Sequence, residues 1–101
     1  MTLTRTLDYL LPGLDEPRRF TVSIGDPEPD PLPGGDFRVL VEITGFARPY
    51  QRHHFGVDPI QALLLGLRIV PDVIGALAEP GSRVTWLGGE DLGFRYGASP
   101  E

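Results

Sequence analysis

The sequence predicts an α+β fold. We expect a two-layer sandwich, with one long helix on one face of an antiparallel sheet of four to five strands, in the order ββββαβ. Three observations carry this. Several segments before residue 57 alternate apolar and polar residues, as half-buried strands do. One later stretch repeats its apolar residues at spacings of three and four, as an amphipathic helix does. The lengths also match: a helix of ~20 residues spans ~30 Å, about the rise of a nine-residue strand at ~3.3 Å per residue.

The elements follow in order. "LTRTLDYLL" puts Leu3, Leu7, Tyr9 and Leu11 on one parity, with Arg5 as the exception. "PGLDEP" turns the chain, because two prolines and a glycine forbid regular structure. "RRFTVSIG" sets Phe20, Val22 and Ile24 against Arg19, Thr21 and Ser23, and should pair antiparallel with the first strand. Residues 26–36, "DPEPDPLPGGD", carry proline at alternate positions and cannot donate a continuous ladder. They predict a rigid acidic loop. "DFRVLVEITG" is the clearest strand, with Phe37, Val39, Val41 and Ile43 on one face and Arg38, Glu42 and Thr44 on the other, Leu40 intruding. "YQRHHF" is ambiguous. Either Tyr50, Arg52 and His54 face the core, or Gln51, His53 and Phe55 do; Phe55, the more apolar anchor, favours the second.

The helix start is well marked. Asp58 is placed to cap, and Pro59 at the first helical position loses no needed donor. Gln61 can reach back to the N–H of the cap residue. Ile60, Leu63, Leu64, Leu67, Val70, Ile74 and Leu77 form the expected apolar face. Pro71 conflicts with a helix interior and predicts a kink near Leu67–Pro71, or two helical pieces. "EPGS" stops the helix, and "RVTWL" is a short last strand. Leu92 and Phe94 should dock the first half of the tail, and residues 95–101 should be loose.

Composition bounds the function. The 101 residues form a single domain, 1–101. The absence of cysteine excludes disulfides, thiolate zinc sites and cysteine nucleophiles. With no signal-peptide pattern and no apolar run of the ~18 residues a membrane span needs, we expect a soluble, cytoplasmic protein without membrane contact. Net charge is −5 and every basic residue is Arg. No nucleic-acid binding is expected from that balance.

The adjacent His53 and His54 are the candidate metal or acid/base pair. Neighbouring strand residues point to opposite faces, so the two cannot chelate one ion without a third ligand such as Asp58 or Glu90. The acidic loop departs from a calcium loop, with Pro31 where glycine is required and Phe37 where glutamate is. Glu90 and Asp91 read as a solvated acidic turn. No catalytic residue, cofactor or metal is expected. The candidate partner-binding residues are Asp26, Glu28, Asp30, Arg38, Leu40, Glu42 and Arg52, on the loop and the open sheet face. Asp58, Pro59 and Gln61 are structural.

"GGDFRVLVEITG", "GVDPIQALLLGL" and "WLGGEDLGF", in that order after an Ile-Gly and a Pro/Asp loop, resemble a family of small bacterial domains of unknown function. The resemblance covers Phe20 to Phe94. Its most specific part is the Gly-Val-Asp-x-x-Gln-Ala-Leu helix start at Gly56, Asp58, Gln61, Ala62 and Leu63. Similar chains often carry Trp at the position of Phe37 and a helix uninterrupted by proline. The family brings no activity with it. A comparable helix start also occurs among immunity-like proteins of bacterial toxin systems, a likeness at the level of fold. The expectation is therefore a non-enzymatic protein-binding module, adaptor- or immunity-like, with an unidentified protein partner and a homodimer possible. The alternatives are a histidine-centred metal-binding or hydrolytic domain, and a small-ligand domain with a pocket between helix and sheet.

Overall fold

The computed structural model describes residues 1–34 and 36–94. Among the described residues six strands and one helix follow in the order β1 (Leu3–Leu10), β2 (Arg18–Ile24), β3 (Glu28–Pro29), β4 (Phe37–Thr44), β5 (Tyr50–Gly56), α1 (Pro59–Leu77) and β6 (Arg83–Thr85). The sheet is wholly antiparallel. β4 pairs with β5 along its length and with β2 over its second half; β2 pairs with β1, and β1 with β6. The predicted α+β sandwich is the observed fold, with one addition. The proline loop supplies β3, whose Glu28 and Pro29 lie opposite Arg38 and Phe37. Proline is tolerated there because β3 is an edge, where its missing donor faces no neighbour.

The core lies on one side of the sheet. Leu7, Tyr9, Phe20, Val22, Ile24, Val39, Val41 and Ile43 are buried, each on the parity its strand predicts. Cross-strand pairing carries that parity along: Leu7 lies opposite Phe20, and Val22 opposite Ile43. Tyr9, Phe20 and Phe46 cluster at one end, with ring centroids 4.4–6.0 Å apart. There the Tyr9 hydroxyl donates to the Gly45 carbonyl at 3.1 Å.

α1 begins as predicted, with one shift in detail. The Asp58 carboxylate accepts from the Gln61 N–H at 2.8 Å. Gln61 reaches one residue further than expected, its Oε1 accepting from the Val57 N–H at 2.8 Å. The helix runs from Pro59 to Leu77 without interruption across Pro71, so the two-piece alternative is corrected. Pro71 still removes the N–H that would bond the Leu67 carbonyl. Val70 and Ile74, both buried, hold the turn on either side of that gap.

Two further expectations change. The buried stripe of α1 is Ala62, Gly66, Val70 and Ile74, while Ile60 and Leu64 are exposed. Small residues take the centre because the helix sits very close to the sheet. A Cβ on Gly66 would lie 2.7 Å from Val39 Cγ2. The phase of β5 is also opposite to the one favoured above. Tyr50, Arg52 and His54 lie opposite Ile43, Val41 and Val39, and so share the helix side. Phe55 lies opposite Arg38 on the outer face. The reason is Gly56, where a Cβ would meet the Ala62 N at 2.3 Å. Only a residue without a side chain fits under the helix start, and that fixes the parity of the whole strand.

Candidate functional site

The outer sheet face receives Arg38, Leu40 and Glu42 from β4 and Gln51, His53 and Phe55 from β5. Its polar groups largely satisfy one another. Arg38 Nε donates to Glu28 Oε2 at 2.8 Å, and its Nη1 lies 3.9 Å from Asp30 Oδ1. Gln51 Nε2 donates to Glu42 Oε2 at 2.8 Å, and Arg19 lies 3.8 Å from Asp8. Asp26 pairs with the N-terminal ammonium. The acids and Arg38, expected to offer free charge to a partner, are thus engaged within the domain. Arg52 is on the other side of the sheet from them, on the exposed rim of β5.

The two histidines separate as strand alternation requires. His53 lies opposite Leu40 on the outer face and is exposed. His54 lies opposite Val39 and stacks beside Tyr50, with 2.9 Å between the Tyr50 hydroxyl and His54 Nε2. Burial pushes the His54 pKa down, and the nearby charges of Arg52 and His53 push the same way. Of the suggested third ligands, Asp58 caps α1 and Glu90 lies 3.7 Å from Arg83. Among the described residues no group of three or more His, Asp or Glu side chains converges on one point.

A different region stands out. α1 lies over β5 and β4 and barely reaches β2. The inner face of β1 and β2 is covered instead by the chain after β6. Trp86, Leu92 and Phe94 pack against the core there, as the tail reading predicts. Arg5 organises this cover. Its guanidinium carbon lies 3.8 Å from the Trp86 ring centroid and 4.8 Å from that of Phe94. Its Nη1 donates to the Leu92 carbonyl at 2.8 Å.

Between this segment and α1 runs a groove of about 260 Å³, walled by Leu3, Ile24, Leu63, Leu67 and Phe94, with Arg5 at its side. The helix flank above it stays apolar. Ile60 and Leu64 are on the same flank as Leu63 and Leu67, yet 71% and 56% of their surfaces are open to solvent. By length and composition α1 is apolar enough to cross a membrane, and 22% of its 18-residue apolar window is buried. Its apolar surface outruns the sheet it covers.

The family described as domain of unknown function DUF6968 matches residues 3–96. The chain belongs to DUF6968. No curated protein and no solved structure matches it. The match takes in both the helix start at Asp58 and the segment through Phe94 of this DUF6968 domain. A pocket between helix and sheet is among the alternatives the sequence raises, but its place beside Arg5 was missed, though one signal was present. Arg5 stands on the buried parity of β1, between Leu3 and Leu7, and an arginine there needs a reason. The loose tail expected over residues 95–101 lies outside the described residues.

Proposed function

We propose that this DUF6968 domain is a non-enzymatic protein-binding module that docks through the exposed flank of α1. The observation that carries it is the row Ile60 and Leu64, open to solvent and continuous in spacing with Leu63 and Leu67. Exposed large apolar side chains in a row mark an interaction surface far better than scattered ones do. Such a row reads as one side of a helix-mediated contact, with anchors at i, i+3, i+4 and i+7. The outer sheet face, whose charges pair internally, is the less favourable surface. Leu40 and Phe55 are its apolar exceptions.

Site-specific photo-crosslinking in the native host tests this. A crosslinking residue at Leu64 is expected to give a discrete adduct that one at Thr6, on the outer face, does not. Ile60→Asp with Leu64→Asp should abolish interaction with the captured protein and leave the fold intact, since neither side chain is in the core. An adduct from Leu40 but none from Leu64 would move the docking surface to the outer face and overturn the assignment to α1.

A further inference from the structure

We propose that the groove between α1 and strands β1 and β2 binds a small carboxylic acid with an apolar body. Its carboxylate would pair with Arg5 and its hydrocarbon would lie along Leu63 and Leu67. This goes beyond the protein-binding reading and does not rest on it.

The groove's shape sets the size of the ligand. Its 260 Å³, at ~30 Å³ for each water of liquid, holds a body of roughly nine heavy atoms. That is just below the usual range for ligand sites, about 300–1,000 Å³. The walls set the body's chemistry. Leu3, Val22, Ile24, Leu63, Leu67 and Phe94 offer hydrocarbon and aromatic surface, which favours an alkyl chain or a ring over a sugar or a nucleotide.

Arg5 sets the head group. It is partly buried on the inner face, opposite Val22. Arg19, Arg38 and Arg83 each have a carboxylate within ion-pairing distance. Among the described residues Arg5 has none, and its single protein acceptor is the Leu92 carbonyl. Trp86 and Phe94 stack on it. Stacking uses the faces of the guanidinium, whereas hydrogen bonds use its edge. The edge N–H groups not given to Leu92 match the two oxygens of a carboxylate. One cation in a domain of net charge −5 suits a monoanion; a phosphate dianion would meet an unfavourable overall field.

The test uses the full chain, with octanoate as probe and 1-octanol as its uncharged match. Amide chemical shifts are followed by NMR at neutral pH. Octanoate is expected to bind at least ~10-fold more tightly than octanol, the lower limit for a charge-assisted hydrogen bond of about 1.5–3 kcal/mol. Its shifts should concentrate at Leu3–Arg5, Ile24, Leu63 and Leu67. Arg5→Met should bring octanoate down to the affinity of octanol. Because Arg5 also holds the Leu92–Phe94 segment, Leu67→Trp provides a second variant. It fills the groove with Arg5 intact and should remove both ligands. No shift at millimolar octanoate, equal affinity for the two probes, or shifts spread away from the groove would overturn the proposal. None of these outcomes would touch crosslinking at Leu64.

Discussion

Leu87 has a backbone φ of 54°, the one positive value outside glycine among the described residues. It shares a tight turn with Gly88, whose φ is 82°, between Trp86 and Gly89, which exchange both backbone hydrogen bonds. Two left-handed residues in a two-residue loop make a type I′ turn, whose preferred sequence is Asn-Gly. The Leu87 side chain is exposed, so it gains no packing in return for roughly 1 kcal/mol of backbone strain. Leu87→Asn should therefore stabilise the domain by about 1 kcal/mol, read as a rise of about 4–8 °C in Tm. His54 gives a second prediction at this scale. Its folded pKa lies below the ordinary value near 6.5, so the unfolded chain takes up the proton first as pH falls. Stability from this site is complete above about pH 6.5 and declines below it. Urea midpoints measured at about pH 7.5 and about pH 5.5 should fall further in the native chain than in His54→Gln. An equal fall would mean that His54 is not the group responsible. The alternation rule separated the histidines correctly, because it depends on backbone geometry alone. Which of them faced the core depended on Gly56, and glycine carries no hydropathy signal.

α1 shows what periodicity can and cannot report. Spacing placed the helix, its cap and its end, since those depend on local chemistry at Asp58, Pro59 and Glu79–Ser82. It misplaced the contact stripe by about 60°, roughly a sixth of a turn, because hydropathy ranks leucine above glycine. Close approach of a helix to a sheet reverses that ranking at the line of contact. Two substitutions separate these effects. Gly66→Ala adds a methyl 2.7 Å from a valine side-chain carbon that can move. Its overpacking cost of about 1–3 kcal/mol is partly offset by about 1 kcal/mol of helix propensity. Gly56→Ala adds its methyl 2.3 Å from the backbone nitrogen of Ala62, which cannot yield without moving the helix start. It should cost about 3 kcal/mol or more, with no propensity gain to set against it. Denaturant unfolding should rank Gly56→Ala as clearly the more damaging of the two. The reverse order would mean that α1 is free to lift from β5 but not from β4.

Across the whole molecule the sheet has two kinds of cover. β4 lies between β5 and β2 and beneath α1, and its Val39, Val41 and Ile43 are sealed. β1 is bounded by the three-residue β6 and covered by Trp86, Leu92 and Phe94, held through Arg5. That second cover is thin: one hydrogen bond, two ring contacts and half-buried side chains. Sequence reading found its apolar residues and missed the arginine that gathers them, because a cation on a buried parity reads as an error in the pattern. Opening should therefore begin at β6 and β1 and reach β4 last, as partly independent units of unfolding. Native-state hydrogen exchange should show the highest protection at Val39–Ile43, close to the global stability, and lower values at Tyr9 and Val84. Trp86→Ala removes the largest piece of the thin cover. A fully buried Trp→Ala change costs about 3–5 kcal/mol, so the half-buried Trp86 should cost about 2 kcal/mol. The loss should appear as faster exchange in β1 and β6, with β4 slowed or quickened only as far as global stability changes. Equal loss of protection in β1 and β4 would show instead that the two covers open as one unit, and that Arg5 couples the end of the chain to the helix layer.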